Sequence, residues 1–313
     1  KSIILIASAI VVYISLLTIN FPTGIAIAMC CIFGFLQAGI GFNVMHDANH
    51  GSYSEKKWVN SLLGLSMNAM GSNAWMWKQK HNIIHHTYTN VDGVDDDIVK
   101  TKLLRMCPSQ DQMKMHRYQY IYCTALYTLS SFMMIVTDFI KYFSKKILTT
   151  PLQKMSMQEH FLFWFSKIAY LFFYIILPSM ILGFGPAILG FTIMHVFLGL
   201  TLATIFQLAH VVEKTHFQNG RFEDLHVEDE WAIHQVLTTA DFATNSKIVS
   251  WYTGGLNFQV EHHLFPRISH IHYPAIQQFV KKTCDDFGIR YNNYPTFASA
   301  VKSHYRFMKQ LGE

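Results

Sequence analysis

The chain has 313 residues, of which 51% are hydrophobic, 15% aromatic and only 14% charged, against about a quarter charged in an ordinary soluble domain. That balance rules out an ordinary soluble globule and marks a membrane chain. The 25 basic and 20 acidic residues give no support for nucleic-acid binding beyond a small positive charge, and Cys30, Cys31, Cys107, Cys123 and Cys284 lack the spacing of an iron–sulfur site or a disulfide framework.

The first apolar run, residues 3–19, ends at the turn signal Asn20-Phe21-Pro22-Thr23-Gly24, and a second covers residues 25–45. Two spans in a hairpin follow from this pattern. A signal peptide would also place Lys1 before an apolar core, but no cleavage context follows Asn20 and a second run does. The absence of an initiating Met implies that sequence precedes Lys1. His46-Asp-Ala-Asn-His50 closes the second run, and His81-Asn-Ile-Ile-His85-His86 comes 30 residues later. A crossing needs about 20 residues, so both clusters share one side. Residues 62–77 should lie in the interface between them, with Trp75 and Trp77 at headgroup level.

The acidic run at residues 92–97 lacks the alternating ligands of a calcium loop. Residues 120–143 contain Thr124, Thr128, Ser130, Ser131, Thr137 and Asp138, and suit an amphipathic surface helix better than a span. Residues 161–184 and 187–209 are apolar and meet at Gly185-Pro186, forming a second hairpin that returns the chain to the side of the first two clusters. There it carries the third, Gln259-Val-Glu-His262-His263. Pro274 opens a short amphipathic helix to Phe287 with Ile276, Phe279, Val280 and Thr283 on one face, and a last helix should run from Tyr294 to the end. The expected fold is therefore all-α and integral to the membrane: four transmembrane helices in two hairpins (about 3–45 and 161–209), with a helical cap (about 46–160 and 210–313), all one domain. Lys56, Lys57, Lys78, Lys80, Lys141, Lys145, Lys146 and Lys154 fall on the histidine side, and the hairpin turns carry no Lys or Arg, so that side is expected to be cytoplasmic.

Neutral imidazole is a common ligand for transition metals. His46 and His50, like His81 and His85, are four apart and share a helical face, whereas adjacent His85-His86 and His262-His263 diverge by about 100 degrees and suit bridging two centres. Three clusters suggest two metals. Isolated His116, His160, His216, His226 and His304 read as ordinary core or surface residues. His270 and His272 read as caps or hydrogen-bonding groups, and one hydrogen bond to a neighbouring helix would account for His195 in mid-span. Clusters at span ends, rather than within spans, argue against a haem pair or a metal transporter. A zinc protease would use three ligands and leave the other clusters unexplained.

Together these boxes, H-x3-H, H-x3-H-H and Q-x2-H-H between paired hydrophobic hairpins, resemble the membrane fatty-acid desaturases. Asn-Val-Met-His-Asp-Ala-Asn-His-Gly, His-His-Thr-Tyr-Thr-Asn and Gly-Gly-Leu-Asn-Phe-Gln-Val-Glu-His-His-Leu-Phe-Pro carry the likeness, and Gln259 in the third box is similar to the front-end and bacterial linoleoyl-CoA-desaturase-like subgroup. The resemblance implies a non-haem di-iron centre in the cap, with His46, His50, His81, His85, His86, His262 and His263 as ligands and His210, at the end of the fourth span, as an eighth. Gln259 stands where many members have a ninth histidine, and Phe206 about where an asparagine would hold a water, so Gln259 or His234 is expected to complete one iron. Asp47, Asn49, Asp95, Asp96 and Glu261 are candidates to hydrogen-bond the distal imidazole nitrogens.

The implied reaction removes two hydrogens from unactivated methylenes of an acyl-CoA or acyl-lipid, with dioxygen as co-substrate. A hydroxylase on the same centre, or a non-catalytic metal-binding or transport protein, are the alternatives. The 25 phenylalanines and 15 methionines could line an acyl tunnel, although such residues at helical spacing more often only pack. An external electron supply, from a separate ferredoxin or cytochrome b5 type donor, is expected: the five cysteines offer no iron–sulfur site, and the His-Pro-Gly-Gly motif of a fused cytochrome b5 domain is missing from these residues, although such a domain could lie upstream of Lys1. A bacterial inner membrane, or the endoplasmic reticulum in a eukaryote, is the expected setting.

Overall fold

The computed structural model describes residues 1–98, 101–220 and 229–313. Its helices, in chain order, are α1 (Ser2–Thr18), α2 (Thr23–His50), α3 (Lys57–Gly64), α4 (Ser66–Ala69), α5 (Ala74–Lys78), α6 (Gln119–Tyr127), α7 (Ser130–Ser144), α8 (Met157–Leu182) and α9 (Phe184–His210). They continue with α10 (Trp231–Thr238), α11 (Lys247–Thr253), α12 (Gln259–Leu264), α13 (Tyr273–Asp286) and α14 (Phe297–Gly312). Extended structure among the described residues consists of three two-residue pairings: Val91–Asp92 parallel with Gln218–Asn219, Asp241–Phe242 parallel with Asn293–Tyr294, and Lys146–Ile147 antiparallel with Thr150–Pro151.

Three of these helices, α2, α8 and α9, are long and apolar enough to cross a membrane. Apolar α1 is shorter, at 17 residues. Helices α2 and α9 pack closely because Gly34 has no side chain; an added Cβ would overlap Met194 O. The core they share joins Phe33, Ala38 and Ile40 of α2 to Met194, Leu198 and Ile205 of α9, with Leu5 and Ala9 of α1 alongside.

Helix α2 runs on past the apolar stretch. Gly41–Met45 forms a π-helical turn, and the helix stops only at Gly51, whose φ of 75° suits a residue without a side chain. At that turn Asn43 donates from Nδ2 to Gly39 O and Tyr252 O, at 2.8 and 2.7 Å. His46 and His50 therefore extend from the same rod that carries the apolar run. A second π-helical segment, Gln79–His85, follows α5 and carries the second cluster.

Residues 120–143 are not the single amphipathic helix expected. The chain bends by 82° between α6 and α7, and the two halves together are also apolar enough for a broken span or a re-entrant loop. The bend rests on Gly199 of α9: Ser130 Oγ donates to Gly199 O at 2.8 Å, and a Cβ at Gly199 would lie 2.8 Å from Thr128 O. His195, one turn earlier, contacts Tyr170 OH and Ser131 Oγ, so neighbouring helices satisfy this mid-span imidazole.

The amphipathic helix near the C-terminus is present as α13, with a different inner face. Tyr273, Ile276, Val280 and Cys284 point inward, whereas Phe279 is 67% exposed. Ile276, Val280 and Cys284 are four residues apart with Tyr273 three before them, and Thr283 is exposed beside this row.

Candidate metal centre

The histidine clusters converge. His46 and His50 arrive on the end of α2, His81, His85 and His86 on the π-helical segment and its cap, His210 on the last residue of α9, and His262 and His263 on α12. All but the half-buried His50 are buried. The nitrogens of His46, His50, His81 and His262 lie within 4.8 Å of one another. So do those of His85, His210 and His263, and those of His86, His262 and His263. The first two groups mark the ends of the site, and His86 links them through His262 and His263. Adjacent residues thus face different groups, as the divergence of neighbouring helical side chains anticipates.

Several of these nitrogens have no protein partner. His50, His85, His262 and His263 each bury an Nε2 that makes no hydrogen bond. Their opposite nitrogens are occupied in three cases: His85 Nδ1 is 2.9 Å from Asp95 Oδ2, His263 Nδ1 is 2.8 Å from Gln235 Oε1, and His262 Nδ1 is 3.1 Å from Tyr273 OH. An acceptor on Nδ1 puts the proton there and leaves the Nε2 lone pair facing inward. Burial and the neighbouring imidazoles hold His81, His86, His262 and His263 well below the usual histidine range, so all four are neutral. Leaving buried acceptors unmatched costs free energy. A metal ion would satisfy them, and the donor set fits one.

Of the residues expected to orient the ligands, Asp95 meets a clustered imidazole and also accepts from the amides of Asn90 and Asp97. The 92–97 run is thus largely a buried junction rather than a solvated loop. The others face elsewhere. Asp47 lies 2.7 Å from His270 Nδ1, Asn49 donates to Gly64 O, and Asp96 accepts from Lys141 at 2.6 Å. Glu261 accepts from Tyr291 at 2.8 Å. Asp47, Asn49 and Glu261 each sit one residue from a box histidine, which turns them about 100 degrees away. Burial and the adjacent Asp241 carboxylate push Glu261 up to about 9, so it is protonated at neutral pH.

Gln259 is buried with its Nε2 2.9 Å from His210 Nε2, at the second end of the site. His234 is buried too, with an Nε2 that makes no hydrogen bond and a ring bond to the Thr89 backbone, yet among the described residues it joins none of the three-residue groups. Phe206 packs its ring 4.7 Å from His210 and 5.2 Å from His85. His116, His160 and His304 have ordinary partners, in Lys102 O, Tyr142 OH and Tyr127 OH. None of them, nor His216, joins a metal-fit group among the described residues; His226 lies outside those residues.

Residue-type reasoning missed Gln235, Tyr273 and Trp77. Trp77 stacks on His81 at 4.2 Å. It also missed Asn90, which at a φ of 57° donates Nδ2 to His210 O and Thr238 O. Asn90 ends the stretch His-His-Thr-Tyr-Thr-Asn, and an asparagine tolerates that conformation better than most residues.

Comparison with known proteins decides the family. The model of the fatty acid desaturase family matches residues 22–295. The chain belongs to the fatty acid desaturase family. It is 38% identical to the sn-1 linoleoyl-lipid 6-desaturase of Arthrospira platensis over 90% of this chain and 77% of that protein. The same identity holds for the sn-1 linoleoyl-lipid 6-desaturase of Synechocystis sp., over 91% and 80%. An acyl-lipid (8-3)-desaturase of Physcomitrium patens is also 38% identical, over 89% of this chain and 59% of its own length. The enzyme is a desaturase of fatty acyl chains, with a lipid substrate and a membrane setting. Its buried histidines are consistent with the metal-binding boxes of that family.

Proposed function

We propose that the enzyme introduces a double bond into an acyl chain carried on a membrane lipid, with two iron ions held by the eight clustered imidazoles. The relatives quoted above are named for lipid-linked acyl chains, which favours a lipid ester over a CoA thioester. His46, His50, His81 and His262 would hold one ion, and His85, His210 and His263 the other, with His86 between them and Gln259 completing the second set. The iron pair, when bound, supplies the oxidising power for unactivated methylenes, with dioxygen as co-substrate and electrons from an external ferredoxin or cytochrome b5 type donor.

The chain's own residues prepare the site. Asp95 and Gln235 accept at the Nδ1 atoms of His85 and His263, and the hydroxyl of Tyr273 lies against Nδ1 of His262, so the Nε2 lone pairs stay aimed into the site. Helix α1 would pair with α2, and α8 with α9, as two membrane hairpins at about 3–45 and 161–209. The remainder would form one cap on the lysine-rich, cytoplasmic side, within a single domain.

The observation that carries this reading is the set of buried Nε2 atoms without protein partners, at His50, His85, His262 and His263. Expression in a host of known lipid content, with double-bond positions read by mass spectrometry, tests it. A new olefin on the lipid fraction is expected, and His262→Ala should abolish it while the protein still inserts. An alcohol in place of the olefin would identify a hydroxylase, and product retained in the variant would overturn the ligand assignment.

A further inference from the structure

Between the first two histidine clusters the chain passes through a turn, residues 68–73, that lies against α7 and α8. We infer that Lys167 of α8 and Asp138 of α7 form a buried tether that positions the second histidine cluster through this turn. The inference rests on the metal reading proposed above.

Both residues are buried inside apolar helices, where charged groups are costly and call for a reason. Lys167 Nζ donates to Asp138 Oδ2 and to Gly71 O, each at 2.7 Å, and lies over the rings of Phe139 and Phe163 at 5.4 and 5.5 Å. Ser72 Oγ donates to the same Asp138 oxygen at 3.0 Å. One ammonium and one carboxylate therefore grip two successive residues of the turn. A neighbouring bond extends the grip: Asn68 donates Nδ2 to Ser166 Oγ of α8 at 2.9 Å and accepts from Ala74 N at 3.1 Å. Gly71 has a φ of 92°, and a Cβ there would come within 2.9 Å of the Tyr170 ring, so the turn fits its slot closely.

What leaves the turn is α5. Asn73 accepts from Met76 N at 3.0 Å to start that helix, Trp77 within it stacks on His81, and the π-helical segment bearing His81, His85 and His86 follows without a break. A turn free to slide would carry this short helix, and three of the eight imidazoles, with it. Lys167 and Asp138 are accordingly positioning residues that act through the Gly71 carbonyl and the Ser72 hydroxyl.

The test replaces both charges, Lys167→Met with Asp138→Leu, so that no unpaired ion is left to unfold the protein. Amide hydrogen exchange of the purified variant is compared with wild type, and iron per chain and the Mössbauer spectrum are recorded in parallel. Amides of residues 71–86 should exchange faster, and iron affinity should fall by about tenfold, the lower end of what outer partners of a metal site contribute. Gly71→Ala, which disturbs the turn without touching a charge, should move both readouts the same way. Tyr142→Phe breaks the α7 to α8 contact elsewhere, where Tyr142 OH meets His160 and Trp164; it should move neither. Unchanged exchange across 71–86 in the double variant would overturn the tether. Faster exchange with full iron and an unchanged spectrum would also overturn it as a positioning device. Wild-type protein without iron would instead sink the metal reading, and the exchange data would still judge the tether.

Discussion

At one end of the histidine cluster three imidazoles share the ring of Trp77; at the other, polar side-chain atoms meet each imidazole, with the Phe206 ring alongside. Trp77 stacks on His81, and its edge meets His46 and His50 at centroid distances of 5.6 and 5.7 Å. His85 and His263, by contrast, are fixed by Asp95 and Gln235, and His210 faces the amide of Gln259. Ring packing is spread over many weak contacts, so it should tolerate a change of similar shape. A hydrogen-bonded end depends on particular donors and acceptors, and losing one strands its partner in a buried setting.

The largest effect is expected where the two ends meet. His86→Ala removes the imidazole between them, so desaturation should fall below detection and iron per chain should drop at both ends. Retention of one fully occupied iron would show that the ends are independent. Asp95→Ala comes next: it frees His85 Nδ1 and should weaken the second iron by about 10–100-fold, while the first stays bound. Trp77→Phe at the ring-held end should cost less than Asp95→Ala in the same titration. A larger loss from Trp77→Phe would reverse the comparison. For Gln259, replacement by His should preserve part of the activity and change the iron spectrum, because an imidazole can take over a ligand position. Complete loss of product with normal iron content would count against Gln259 as a ligand.

The histidines of the ring-held end were legible in the sequence, because four-residue spacing on one helix already places His46 with His50, but the Trp77 ring against them was not. The adjacent pairs gave the link between the ends by the same geometry. The hydrogen-bonded end was read less well. Its orienting group Gln235 comes from α10, and no local spacing connects it to His263; the same is true of Tyr273 of α13 and His262 at the first end. Proximity in sequence misled for Asp47, Asn49 and Glu261, whose neighbours along the helix turn away from the site. Apolar runs located α2, α8 and α9, but composition could not show that Gly199 would bend residues 120–143 around α9. Such a bend is a tertiary contact, and a helical pattern on one segment holds no record of the glycine that receives it.

The smallest expected effect concerns the support behind the hydrogen-bonded end. His304 of α14 lies 2.7 Å from Val211 O, one residue past His210, and 2.8 Å from Tyr127 OH. Burial holds its imidazole down to about 4. The unfolded chain would take up a proton there near pH 6.5, and the native site resists it until about 4. The sign follows directly: stability is fully present above about 6.5 and is lost as the pH falls toward 4, by about 3 kcal/mol from this residue. His304→Gln should lower stability by about 1 kcal/mol at pH 7.5 through lost hydrogen bonds, yet show a shallower decline on acidification than wild type. Denaturant unfolding in detergent at pH 7.5 and pH 5 measures the difference. Because His304 braces the carbonyl beside His210, acid should release iron from the hydrogen-bonded end before the ring-held end in wild type, with a narrower gap in the variant. Parallel declines in the two proteins would show that His304 carries none of the acid sensitivity.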